Sequence, residues 1–116
     1  MNEIKLVPKD WGYEKWIINT ELYCGKELVC NCNIWSSNGR FHYHKIKDET
    51  FYVIEGTLLL VIKEENKDKE HITLDIGDTY RIKPGLKHKF TSLTQRCKFI
   101  EFSTQHFDDD SYRVSE

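Results

Sequence analysis

The run Phe41-His42-Tyr43-His44 sets two imidazoles two residues apart, and a carboxylate, Glu49, follows within one short connection. Side chains alternate faces along a β-strand, so His42 and His44 leave an extended backbone on the same side. The segment Glu49-Thr50-Phe51-Tyr52-Val53-Ile54 is rich in aromatic and β-branched residues and stops at Gly56. It reads as the next strand, with Glu49, Phe51 and Val53 on one face. The residues between His44 and Glu49 suffice for a hairpin that brings the carboxylate beside the imidazole pair. Far downstream, His88 stands behind Pro84-Gly85. Three imidazoles and one carboxylate form a donor set suited to a divalent transition metal: imidazole takes zinc, copper, iron and nickel, and a carboxylate widens the choice toward manganese. A lone histidine or glutamate on a strand is usually just solvated, so the inference rests on the joint pattern. If the four residues converge, the chain carries a metal centre.

The elements that must position them are strands. Helical periodicity is absent, and short alternating runs bounded by turn residues recur instead. They cover Trp16 to Ile18, Glu27 to Trp35, Phe41 to His44, Thr50 to Glu55, Thr57 to Lys63, His71 to Leu74, Thr79 to Ile82, His88 to Ser92 and Cys97 to Ser103. The separators are turn signals: Ser36-Ser37-Asn38-Gly39, the charged Glu64 to Glu70 segment, Asp75-Ile76-Gly77-Asp78 and Lys83-Pro84-Gly85. The expected architecture is an all-β sandwich, jelly roll or barrel in which inward-facing ligands from separate strands meet. The tail Asp108-Asp109-Asp110 reads either as the start of a short helix or as a fraying end. The apolar stretch around Trp11, Trp16 and Ile17 serves either a subunit contact or the chain's own barrel.

At 116 residues the chain fits one domain, residues 1–116, with a core large enough to need no disulfide staples. A formal charge of -2, with lysines interleaved among acids, argues against a nucleic-acid partner. No apolar run approaches the ~20 residues of a membrane span, and Met1-Asn2-Glu3-Ile4-Lys5 lacks the apolar core of a secretory signal. The expectation is a cytoplasmic protein. Four cysteines, Cys24, Cys30, Cys32 and Cys97, fit reduced thiols there. Cys30 and Cys32 alternate with Leu28 and Ile34, which puts all four on one strand face as small buried hydrophobes; the competing reading is a Cys30-x-Cys32 metal or redox pair.

The spacing of His42, His44, Glu49 and Gly56, followed by Gly77-Asp78 and then Gly85-Leu86-Lys87-His88, resembles the two motifs of the cupin superfamily. Ser36 stands where the first motif has glycine, Lys83 where the second has proline, and Ser92 where it ends in asparagine. None of these departures touches a candidate ligand. The resemblance implies an all-β fold, the double-stranded β-helix or jelly-roll barrel of cupins. It also implies His42, His44, Glu49 and His88 as ligands of one divalent transition metal (Zn, Mn, Fe, Co or Ni).

Outside those motifs, Asp10-Trp11-Gly12-Tyr13-Glu14, Tyr23-Cys24-Gly25-Lys26, and Phe99-Ile100-Glu101-Phe102-Ser103-Thr104 with Asp109-Asp110 and Arg113 resemble the cupin domain of mannose-6-phosphate isomerases. That narrower likeness implies a metal-dependent aldose-ketose isomerase acting on a sugar or sugar phosphate through a cis-enediol. Such a reaction needs a base at carbon, for which Glu49 is first choice and Glu101 second. The face that Glu101 presents is left open by its strand. A phosphate or polyhydroxyl group calls for cationic partners at the pocket mouth. Arg40, on the parity of His42, is first choice for that role, and Lys26 follows from the resemblance. Phe51 lines the pocket, Tyr43 and Tyr52 pack on the opposite faces, and His71 and His106 are surface residues. The alternatives are a non-haem iron or nickel dioxygenase of the cupin type and a non-catalytic metal- and sugar-binding module. Small β-sandwiches must protect their edge strands, which points to a homodimer.

Overall fold

A computed structural model describes residues 3–114, which form eleven strands and one 3-10 turn at Ser36–Gly39. The strands are β1 (Lys5–Lys9), β2 (Gly12–Asn19), β3 (Cys24–Asn31), β4 (Phe41–Tyr43), β5 (Glu49–Glu55), β6 (Leu58–Lys63), β7 (Glu70–Leu74), β8 (Thr79–Ile82), β9 (Lys87–Ser92), β10 (Arg96–Ser103) and β11 (Tyr112–Val114). Their burial follows the period of two that extended backbone imposes. On β5, Glu49, Phe51 and Val53 are buried while Tyr52 and Ile54 face out. On β10, Cys97, Phe99 and Glu101 are buried between less buried neighbours.

Two antiparallel sheets result, one in the order β1-β2-β3-β10-β5-β8 and the other β11-β4-β9-β6-β7. From β3 onward almost every connection changes sheet, and only β6 and β7 follow one another within a sheet. This interleaving makes the jelly roll expected from the sequence. Between the sheets lies an apolar cluster that includes Trp11, Leu28, Val53, Leu60, Phe90 and Phe99. The Phe51 ring packs 4.8 Å from Phe99 and 6.1 Å from Phe90, and Trp11 meets Phe90 edge-on at 5.1 Å. These tilted and edge-to-face contacts are the favoured aromatic geometries.

Several expectations need correction. The link between His44 and Glu49 is not a hairpin: β4 and β5 belong to different sheets, so the connection carries the chain across the barrel. The strand expected to run to Trp35 ends at Asn31, and Asn33 takes a left-handed φ of 59°. The shared face of Leu28, Cys30, Cys32 and Ile34 is broken there, since Cys32 is exposed and Ile34 is 43% exposed. β1 and β11 were not anticipated. β11 pairs with β4 and places Arg113 opposite His42, so the tail is neither helical nor frayed through residue 114. Trp11 resolves the N-terminal alternatives in part, being 7% exposed and packed into its own barrel. Among the described residues no helix is long and apolar enough to cross a membrane.

Candidate metal centre

Both sheets contribute to the site. His42 on β4 and His88 on β9 are direct register partners, and their rings lie 4.0 Å apart. His44 follows β4 and keeps the parity of His42, with ring centroids 5.3 Å apart. Glu49, the first residue of β5, enters from the opposite sheet and sets Oε2 3.3 Å from His44 Nε2 and 3.4 Å from His88 Nε2. One nitrogen from each of His42, His44 and His88 falls within 4.8 Å of the other two. All four predicted residues are therefore together.

A turn positions His88. Leu86 N–H donates to the Lys83 carbonyl at 3.1 Å, with Pro84 at the first corner and Gly85 at the second, where φ is 88°. Proline presets the first corner and glycine supplies the positive φ of the second, as a type II turn requires. Gly85 N–H also donates to the His44 carbonyl at 2.6 Å, tying this turn to the end of β4.

Hydrogen bonds to backbone orient two of the imidazoles. His44 Nδ1 lies 2.5 Å from the Asp110 carbonyl and His88 Nδ1 2.9 Å from that of Leu86. A carbonyl only accepts, so each Nδ1 donates to it and each Nε2 is the ring atom turned toward Glu49. Burial, reinforced by the neighbouring His88, holds His42 well below the usual imidazole range and keeps it neutral. Burial alone would raise the Glu49 carboxyl, but His44 and His88 beside it outweigh that and keep it ionised, with Lys47 adding to the effect. His42 Nδ1, His88 Nε2 and Glu49 Oε2 are buried with no hydrogen-bond partner among the described residues. Leaving three polar atoms buried and unsatisfied at one point is costly, and a shared cation satisfies them all. Three imidazoles around an ionised carboxylate thus fit a divalent metal.

The site opens into a cavity of about 530 Å³ that reaches the inner face of the six-stranded sheet. Phe51 lines it, as expected. Glu101, whose facing was open, points inward at 4% exposure and pairs with Lys47, Nζ to Oε2 3.1 Å. Burial first, then repulsion from Glu49, raises the Glu101 carboxyl above the usual range, against the pull of Lys47 and Lys26. Lys26 lies not at the mouth but in the wall, 2% exposed. Arg40 borders the cavity as an exposed residue, with Nε 3.4 Å from the Ser37 carbonyl. Tyr43 stacks on Tyr112 and Tyr52 is 37% exposed, both away from the site. His71 is exposed, but His106 is not a surface residue: it lines the cavity against Trp16, Lys26 and Lys47.

Three contributors escaped the sequence reading: Lys47, His106 and Asp110. Lys47 was legible, because it has the parity of Glu49 and Phe51 and so points inward with them. His106 and Asp110 follow the last strand that periodicity reveals; Asp110 belongs to the stretches that carry the narrower resemblance, which gave it no role, and nothing local marks His106. The Asp110 carboxylate accepts the backbone N–H groups of Lys45 at 2.8 Å, Ile46 at 3.2 Å and Lys47 at 3.0 Å.

A family model described as a cupin domain matches residues 36–102, more than half of the chain and all four clustered residues. Among solved structures, oxalate decarboxylase from Bacillus subtilis superposes with a TM-score of 0.84 at 16% identity, covering 97% of this chain and 30% of that one. The capsular polysaccharide assembling protein CapF from Staphylococcus aureus superposes with a TM-score of 0.80 at 20% identity, covering 100% of this chain and 35% of that one. The chain thus spans about a third of the length of these relatives, and at such identities the likeness is one of fold. No curated protein sequence matches it.

Proposed function

The chain belongs to the cupin domain family, and from that premise we propose that it is a metal-dependent aldose-ketose isomerase acting on a sugar or sugar phosphate. The observation that carries this reading is the meeting of His42, His44, His88 and Glu49 around orphaned donor atoms, in a cavity that holds a second buried carboxylate, Glu101. His42, His44, Glu49 and His88 would hold one divalent cation. When bound, that cation supplies Lewis acidity to the substrate's neighbouring oxygens.

The remaining work falls to the chain's own groups. Isomerisation takes a proton from the carbon beside the carbonyl. The C–H electron pair becomes the C=C bond of the enediol, and the carbonyl oxygen takes up the charge. Return of the proton to the former carbonyl carbon, with the hydroxyl proton passing from one oxygen to the other, completes the exchange with no net oxidation. Two carboxyls whose environments push their pKa values apart suit such traffic. Glu49, held ionised among the histidines, is fitted to ligation. Glu101, raised by burial and by Glu49, is fitted to accept and return the proton, which reverses the order of preference drawn from the sequence. Lys47 beside it donates to Glu101 and orients the carboxylate. Phe51 and Phe90 add apolar surface to the cavity lining.

The test is to strip the purified protein of metal, restore Zn²⁺, Mn²⁺, Fe²⁺, Co²⁺ or Ni²⁺ in turn, and follow interconversion across sugars and sugar phosphates in D₂O. Conversion with deuterium entering at carbon supports the isomerase; silence with every metal overturns it. Oxygen consumption that requires Fe²⁺ or Ni²⁺ would favour the dioxygenase alternative, and saturable sugar binding with neither activity the binding module. The same reading takes residues 1–116 as one cupin domain working as a cytoplasmic homodimer. In support, β1, β8, β7 and β11 are sheet edges, and Leu6 on β1 is 60% exposed. Sedimentation of the purified chain at the monomer mass would overturn the dimer.

A further inference from the structure

Two ammonium groups meet a single ring nitrogen on the cavity wall. Lys26 Nζ lies 3.1 Å and Lys47 Nζ 3.2 Å from His106 Nδ1. His106 Nε2 stands 3.0 Å from Asp108 Oδ1, and a carboxylate only accepts, so Nε2 carries the proton and Nδ1 offers one lone pair. Burial and then the two lysines bring the His106 pKa down to about 4, which leaves that lone pair in place at neutral pH. One lone pair serves one N–H well, yet two ammoniums reach for it.

Lys47 has a second acceptor in Glu101. Lys26 is less well served: its ion pair with Glu14 is long at 3.8 Å, and its Nζ otherwise sits 4.2 Å over the Trp16 ring. A buried ammonium has three donors and demands partners for them, so among the described residues Lys26 has capacity to spare. Strand register shows where that capacity points. Trp16, Lys26, Glu101 and Phe51 are successive partners across β2, β3, β10 and β5, and Glu49 is the next inward residue of β5 beside Phe51. The ammonium pair therefore faces the same cavity as the histidines. The buried charges of that wall, Lys26 and Lys47 against Glu49 and Glu101, balance. A divalent cation at the histidines leaves the loaded cavity short of negative charge.

We propose that Lys26, Lys47 and His106 form an anion subsite that seats a phosphoryl or carboxylate group at the end of the substrate remote from the histidines. Arg40 is not its seat, being exposed and turned to the Ser37 carbonyl. The inference deepens the proposed function and rests on it only in taking the occupant to be the substrate.

The experiment titrates inorganic phosphate, against chloride at matched ionic strength, into the full chain as purified and again after chelation. Trp16 fluorescence is the readout, assigned by its loss in Trp16→Phe. The subsite predicts saturable phosphate binding that weakens but persists after chelation, as the metal's charge is lost and the lysines remain, and that falls at least tenfold in Lys26→Met. If Lys26→Met fails to fold, Lys26→Gln keeps a polar N–H group on that wall, removes the charge and carries the same expectation. Binding that vanishes on chelation places phosphate on the metal and overturns the subsite, as does equal binding by the variant. Gluconate titrated in parallel separates the two sources: tighter gluconate makes the occupant a carboxylate, tighter phosphate a phosphoryl group, and no binding of either overturns the proposal. Turnover of neutral sugars without anion binding would sink the subsite and leave the isomerase standing, whereas anion binding without turnover of any sugar would do the reverse.

Discussion

The Asp110 carboxylate gathers the N–H groups of three consecutive residues, Lys45 to Lys47, while its backbone carbonyl takes the His44 Nδ1 proton. One residue near the end of the chain thus fixes both the orientation of an imidazole and the path that leads from it to Glu49. Charge-assisted bonds of this kind are stronger than neutral ones, and groups that orient metal ligands weigh on affinity. Asp110→Ala keeps that carbonyl but releases the Lys45–Lys47 segment that sets the path from His44 to Glu49, so it should weaken metal binding by roughly 10-fold and lower stability by about 2–4 kcal/mol, measured by competition with a chromogenic chelator and by urea unfolding. Glu101→Gln should keep the metal and the fold but cut kcat by about 10²–10⁴; unchanged turnover would remove Glu101 from the reaction. His106 makes a pH prediction. Its folded pKa of about 4 lies below that of a free imidazole, so between the two values the unfolded chain binds the extra proton. Its contribution is complete above the unfolded value and is lost as pH falls from about 6.5 toward 4, by about 1–2 kcal/mol for a half-buried, solvent-screened group. Urea midpoints in His106→Gln should fall less over that window than those of the parent chain; equal slopes would contradict the assignment.

Strand pattern and strand pairing were not equally legible in the sequence. Alternation revealed the middle strands and the inward parity of His42, His44, Glu49, Phe51 and Val53, because those segments have one buried face. It could not reveal that β4 and β5 lie in different sheets, since a hairpin and a crossing of the barrel need similar connections and only long-range pairing tells them apart. β1 escaped because it is an edge strand with mostly exposed side chains, and β11 because it has three residues. Gly56 marks one of the crossings. Its φ is 75°, and a Cβ there would lie 2.3 Å from the Arg96 carbonyl oxygen and 2.5 Å from Thr94 Oγ1. Gly85 has a similar φ of 88° but nothing within 4 Å. Gly85→Ala should thus cost only the backbone penalty of about 1–2 kcal/mol, and Gly56→Ala about 2 kcal/mol more through the clash. Equal losses in urea unfolding would mean that the close approach at Gly56 does not matter.

At the scale of the whole molecule, the barrel brings its only cluster of orphaned buried donors, among the described residues, to the point where its two sheets face one another. The residues that do this come from β4, β5 and β9 and from the segment after β4, so no local stretch of chain forms the site. The sequence nonetheless named all four, since spacing marked His42, His44 and Glu49 and the family resemblance supplied His88. The lysine-histidine wall remained hidden because it is assembled from β3, the β4–β5 connection and the segment after β10. A cation satisfying those donors binds the folded chain alone, so a thousandfold excess over its Kd should add about 4 kcal/mol. That should raise the melting temperature by roughly 10–15 °C, and chelation should reverse the shift. The most direct test of the metal centre is the metal content of the purified chain, measured by plasma mass spectrometry beside His88→Ala and His44→Ala. The metal centre predicts about one divalent transition-metal ion per chain, most of it lost in either variant while strand content by circular dichroism persists. Stoichiometric metal retained by folded His88→Ala and His44→Ala, or a parent chain that takes up none of the five metals, would contradict it.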